Sequence, residues 1–128
     1  VPKITITLRK SYGGSHIVMG CKQLRADLNF AWPSSEIAVM GASGAVAVLC
    51  GKEAKAKKEA GEDVKAFLAE KEQEYTDKFA NPYQAAQYGY IDDVIEPRNT
   101  RFRICRGLAQ LATKRQSLPA KKHGCMPM

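Results

Sequence analysis

The stretch ITITLRKSYGGSHIVMG, residues 4–20, joins an alternating segment to a helical run through two adjacent glycines. Ile4, Ile6 and Leu8 alternate with Thr5 and Thr7, which is the period of a strand with unlike faces. A strand that ends in Tyr12-Gly13-Gly14 and feeds a helix starting near Ser15 leaves backbone N–H groups unpaired at the helix N-terminus, where the dipole favours negative charge. Such a corner is an oxyanion or phosphate site in kind. Glycine suits it twice, because it reaches φ > 0 and lets a ligand approach the main chain without meeting a Cβ. On pattern alone, a tight turn with close strand-to-helix packing explains Gly13 and Gly14 better, so the site reading needs support from the rest of the chain.

Working outward, Leu28–Ala31 and Glu36–Met40 read as two further strands around the turn Pro33-Ser34-Ser35. Gly41-Ala42-Ser43-Gly44 breaks the second, and Gly44–Leu49, all small or apolar, reads as a buried helix packed closely against a neighbour. Lys52–Glu62 is an exposed charged helix or connector. Val64, Phe67, Leu68, Tyr75 and Phe79 then fall at helical spacing, predicting a long helix with one buried stripe. Asn81 suits an N-cap and Pro82 the first position of a short helix that Gly89 closes. Tyr90–Ile95 reads as a last strand, stopped by Glu96-Pro97. Thr100 is expected to cap a final helix whose apolar line is Ile104, Leu108 and Leu111. The order of elements implies α/β layers, with no internal repeat in the sequence.

At 128 residues and 45% apolar content the chain suits one globular domain. No apolar run approaches the ~18 residues needed to cross a membrane, so no membrane insertion is expected. Val1 opens directly on a strand pattern, and the chain reads as starting inside a larger protein. The net charge of +7 is uneven: residues 1–50 carry +3, residues 51–97 carry −4 and residues 98–128 carry +8 with no acidic group. That excess could meet phosphates or an acidic partner face. Phe102 is its only aromatic residue, so a stacking platform for bases is missing and no nucleic-acid partner is expected.

Cys21, Cys50, Cys105 and Cys125 are widely spaced, with no C-x-x-C pair, which argues against zinc and against a disulfide framework. The first three are expected to be buried small hydrophobes and Cys125 an exposed free thiol. There is no P-loop, G-x-G-x-x-G, H-E-x-x-H or G-x-S-x-G, and His16 and His123 are the only histidines, without an evident Ser or Cys partner set. No metal site and no hydrolase triad are expected.

Four collinear segments carry a further indication: VPKITITLRKSYGGSHIVMG, ADLNFAWPSSEIAVMGASGAVAVL, KFANPYQAAQYGYIDDVIEPRNTR and KKHGCMPM. Together they resemble the C-terminal part of the carboxyltransferase (β) subunit of biotin-dependent acyl-CoA carboxylases, a family that includes methylmalonyl-CoA transcarboxylase and the carboxyltransferase chains of sodium-pumping decarboxylases. The resemblance implies an α/β, crotonase-like β-β-α superhelix, here a partial C-terminal carboxyltransferase domain. Residues 1–113 would be the end of the C-domain and residues 114–128 a basic tail. It implies carboxylate transfer between carboxybiotin and a short acyl-CoA such as propionyl-CoA or acetyl-CoA, and a homo-oligomeric, hexameric ring when the subunit is full length. Biotin would arrive on a biotin carboxyl carrier or biotin carboxylase subunit. The implied location is the cytoplasm, or the mitochondrial matrix of a eukaryote.

In that family the motif reads Y-G-G-A-Y, and the resemblance assigns the backbone N–H groups of Gly14 and Ser15 to the hole that stabilises negative charge on the biotin oxygen. Gly13 shapes the same turn, and Ile17 falls where the family chooses its acyl chain, so both are expected at the substrate. Ser15 and His16 depart from the family's alanine and tyrosine. A main-chain hole tolerates the first change. No side-chain base is required, with His16 the outside candidate. Two other readings remain: the decarboxylase of a sodium pump, and an assembly module without activity. The 128 residues by themselves are expected not to carboxylate an acyl-CoA.

Overall fold

The computed structural model describes residues 1–117, Ala120 and Gly124. Strand β1 spans Ile4–Thr7, β2 Lys10–Tyr12 and helix α1 Gly13–Val18. A 3-10 turn, Lys22–Leu24, leads into β3 (Leu28–Ala31), β4 (Glu36–Ala38) and α2 (Ala42–Leu49). Then come α3 (Gly51–Glu59), α4 (Val64–Phe79), α5 (Pro82–Gln87), β5 (Asp93–Val94), a 3-10 turn at Pro97–Asn99 and α6 (Thr100–Gln110).

The alternating segment is β1, but the strand read as running on to Tyr12 is two, bent at Leu8 and Arg9 into separate sheets. One sheet has the order β1-β3-β5 and the other pairs β2 with β4, all in parallel. Ile4 stands opposite Leu28 and Thr7 opposite Ala31 in the first, and Tyr12 opposite Ala38 in the second. Each β-β-α unit therefore gives one strand to each sheet. The units β1-β2-α1 and β3-β4-α2 stack as successive turns of a superhelix, a repeat of geometry that the sequence does not show as a repeat of residues.

The core sits where α5 covers the strands, with Ala31, Ile37, Ala85 and Ile91 buried together and Ala86 and Val94 packed against them. Asn81 caps α5 as expected, its side chain accepting from Gln84 N–H at 3.0 Å, with Pro82 buried at the first helical position. Helix α4 is capped by Asp63, whose Oδ1 accepts from Lys65 and Ala66 N–H. Its apolar stripe is only half covered, and Phe79 is exposed. Helix α2 buries Ala45 and Val46 but exposes Val48 and Leu49, so it has one packed face and is not buried all round.

Helix α6 docks by its smallest side chain. A Cβ on Gly107 would lie 2.7 Å from Leu28 Cδ1 and 3.1 Å from Ile4 Cδ1, so glycine is what allows this close approach to β1 and β3. The expected line Ile104, Leu108 and Leu111 is corrected accordingly: Leu108 and Cys105 face outward, and Cys50 is half-buried, while only Cys21 of the three is buried. Cys125 and His123 lie outside the described residues. Thr100 does not cap α6 by its side chain. The helix follows the turn at Pro97–Asn99 directly, and Thr100 Oγ1 accepts from Trp32 Nε1 at 2.9 Å. The expected strand Tyr90–Ile95 shortens to Asp93–Val94.

Part of the basic excess is used internally. Arg103 pairs with Asp93, Arg98 with Glu96, and Lys114 reaches Asp27 at 2.7 Å and the Val1 carbonyl at 3.2 Å. Lys3 N–H also donates to Asp27, at 2.7 Å. The Lys114 hydrogen bond, followed by that from Lys3, holds the Asp27 carboxyl below its ordinary value of 3.8. Among the described residues no helix is long and apolar enough to cross a membrane.

Candidate active site

Strand β2 delivers the chain to α1 at a sharp corner. Tyr12 is extended, at φ −117° and ψ 138°, and Gly13 turns to φ +50°. A Cβ on Gly13 would lie 2.9 Å from the Val39 carbonyl oxygen, so the backbone on the β4 side leaves room for hydrogen only. The helix starts at Gly13, two residues earlier than the sequence predicts, because Gly13 takes the turn and the first helical position together. No side chain caps it. By helix geometry its first N–H groups, Gly14 and Ser15 among them, lack an intrahelical acceptor.

Gly14 and Ser15 are both exposed. A Cβ on Gly14 would meet nothing within 4 Å, so its lack of a side chain is not explained by packing. Ser15 Oγ donates to the Tyr12 carbonyl at 2.6 Å, which turns the hydroxyl back onto the strand end and away from its own amide.

One turn on, Gly13, His16 and Ile17 share a helix face and form part of the wall of a cavity of about 680 Å³. Ile37 and Val39 continue that wall, and Tyr75, Phe79, Tyr88 and Tyr90 supply its aromatic part. Its exposed surface is mostly apolar, and among the described residues no Lys, Arg, Asp or Glu lines it. Ile17 is exposed on this wall. Gly14 and Ser15 are not part of the wall. They stand at the end of the helix whose side it includes.

Tyr12 fixes the corner. Its hydroxyl donates to Glu36 across the β2–β4 pair, and burial, the hydrogen bond and the carboxylate charge together push the phenol up to about 12. The phenol therefore stays protonated at neutral pH and clamps the end of β2 to the start of β4. His16 has a serine partner that sequence reasoning missed: its Nδ1 meets Ser11 Oγ at 2.9 Å. The pair spans five residues across a strand-to-helix bend, a spacing that advertises contact in neither a strand nor a helix. Burial holds the imidazole below its ordinary 6.5, favouring its neutral form.

A family model for the carboxyl transferase domain matches residues 1–126. The chain belongs to the carboxyl transferase domain family. It is 52% identical over 128 residues to the propionyl-CoA carboxylase beta chain of Saccharopolyspora erythraea, covering all of this chain and 23% of that one. It is 54% identical over 127 residues to the methylmalonyl-CoA carboxyltransferase 12S subunit of Propionibacterium freudenreichii subsp. shermanii, covering 99% of this chain and 24% of the relative. Among solved structures, the transcarboxylase 12S hexamer with methylmalonyl-coenzyme A and methylmalonic acid bound matches at a TM-score of 0.86 and 53% identity, over all of this chain and 24% of that one. The fold is thus a partial α/β, crotonase-like carboxyltransferase domain, as the resemblance implies. This member of the carboxyl transferase family spans about a quarter of the length of these relatives.

Proposed function

We propose that this chain is the part of a biotin-dependent acyl-CoA carboxyltransferase that receives biotin, for transfer of carboxylate to or from a short acyl-CoA such as propionyl-CoA or acetyl-CoA. The observation that carries the reading is the exposed first turn of α1, where helix geometry gives the Gly14 and Ser15 amides no intrahelical acceptor, next to a mostly apolar cavity lined by no Lys, Arg, Asp or Glu among the described residues. Biotin, when bound, supplies a ureido oxygen on which negative charge gathers as carboxylate leaves. Two fixed N–H donors aimed at that oxygen stabilise the charge without reorganising, and removing one such donor costs roughly 10²–10³ in kcat. Gly13 sets the direction of both amides through its left-handed turn, and Ile17 borders the space that the acyl chain would use.

Biotin would reach the site on a biotin carboxyl carrier or biotin carboxylase subunit, and the full-length subunit would form a hexamer. Residues 1–113 would make the carboxyltransferase part and residues 114–128 a basic tail, with Lys114 fixing its start to Asp27. The test is transfer of labelled carboxylate from methylmalonyl-CoA or malonyl-CoA to free biotin by the full-length protein. Label in biotin that requires both substrates is the expected result. A folded protein that moves no label from either donor would refute the reading.

A further inference from the structure

Helix α6 carries apolar residues on both of its sides. Its inner side docks through Gly107 on β1 and β3, while Phe102, Cys105 and Ala109 recur at helical spacing as a second line that is exposed throughout. A helix that is apolar all round belongs inside a larger assembly. Arg101 and Arg106 flank the exposed line and make no ion pair among the described residues, whereas Arg98, Arg103 and Lys114 are paired within the chain.

Charge decides what can cover this line. Residues 98–128 hold no acidic group, so a second α6 would set arginine against arginine. The cover must bring carboxylates, and it must be small at its centre if Cys105 and Ala109 are to be approached closely. The outer face of α4 has both properties. Ala66, Ala69, Glu70, Gln73 and Asp77 recur there at helical spacing, all are exposed, and no lysine of α4 falls on that line. Gln73 donates to Asp77 at 2.8 Å along it. Arg101 and Arg106 are about 7.5 Å apart along their axis and Glu70 and Asp77 about 10.5 Å along theirs, a difference that the long arginine stems take up. Both faces are exposed within one chain, so a contact between them joins two copies.

We propose that the outer face of α6 docks on the outer face of α4 of a second copy of this chain, with Cys105 and Ala109 against Ala66 and Ala69, and Arg101 and Arg106 paired with Glu70 and Asp77. Small residues at the centre bring the two helix axes to about 8 Å. The contact is heterologous: each copy lends one face of each kind, and a rotation that closes makes a ring. It rests on the homo-oligomeric reading of the full-length subunit given above.

The test uses the full-length protein, with mass followed by analytical ultracentrifugation and folding by circular dichroism. Reversing the bases (Arg101→Glu with Arg106→Glu) or the acids (Glu70→Arg with Asp77→Arg) should each raise the dissociation constant of the oligomer about tenfold or more, and both pairs together should recover most of the loss. A second measurement leaves the charges alone: Ala69→Cys, oxidised with copper phenanthroline, should give covalently joined copies through Cys105, and none once Cys105→Ser is added. An unchanged oligomer in both reversals, no recovery in the combination, or no crosslink that depends on Cys105 would overturn the proposal, the two faces then being covered within one subunit. An unsubstituted protein that stays monomeric would instead defeat the homo-oligomeric reading, and this contact with it.

Discussion

Gly13 and Gly14 are adjacent and chemically identical, yet the structure gives them opposite sensitivities. Gly13→Ala meets two penalties. A left-handed conformation costs an L-residue roughly 1–2 kcal/mol. The new Cβ would also lie 2.9 Å from the Val39 carbonyl oxygen, a backbone atom next to β4 that cannot swing aside as a side-chain end could. Forcing such a shift costs typically about 1–3 kcal/mol, so the substitution should destabilise by about 2–5 kcal/mol in all. Gly14→Ala places its Cβ in open space, with nothing within 4 Å. It should leave stability unchanged or raise it by up to roughly 1 kcal/mol, the helix preference of alanine over glycine. Urea unfolding followed by circular dichroism separates the two variants, with a fall in midpoint for Gly13→Ala alone. Equal midpoints for Gly13→Ala and the unsubstituted chain, or a comparable fall in both variants, would refute the assignment of Gly13 to packing and Gly14 to the ligand.

Two other predictions concern the frame around the site. Asp27 titrates below its ordinary 3.8 because Lys114 and Lys3 favour its charged form. A depressed carboxylate contributes stability that is fully present above the ordinary value and is lost as pH falls through the folded one. Carboxyl-carbon NMR should therefore find Asp27 titrating below 3.8, and Lys114→Met should bring it back up. A midpoint at or above 3.8 in the unsubstituted chain would contradict the ion pair. Asn81→Ala removes the cap on Gln84 N–H and should cost about 0.5–2 kcal/mol by denaturant unfolding, with Asn81→Ser close to the unsubstituted chain.

The elements that were legible in the sequence were those set by local chemistry. The alternation at Ile4–Leu8, the Leu28–Ala31 strand and the Asn81-Pro82 helix start all depend on neighbours a few residues away. The division of residues 4–12 between two sheets was not legible, because the bend at Leu8 and Arg9 follows from which strand each half pairs with. Helix α6 was oriented wrongly for a physical reason. A periodicity argument weights large apolar side chains, whereas this helix packs through Gly107, where no side chain is what permits contact. The expected burial of Cys105 and Leu108 failed with it. At the site, the glycine corner and its direction were legible, but the left-handed turn settled on Gly13 alone. The Ser11–His16 pair joins a strand to a helix across a bend, so no single period could have displayed it.

In the proposed function the main-chain amides at the start of α1 stabilise charge during carboxylate transfer, and Ser15→Pro removes one of them. It deletes one amide at a first-turn position where no intrahelical hydrogen bond is lost. Ser15→Ala keeps the amide and removes only the bond to the Tyr12 carbonyl. In the full-length protein, with labelled acyl-CoA and free biotin, the account predicts kcat about 10²–10³ lower in Ser15→Pro at an unchanged acyl-CoA KM, and Ser15→Ala within a few-fold of the unsubstituted value. Equal rates in the two variants, with both folded, would contradict it.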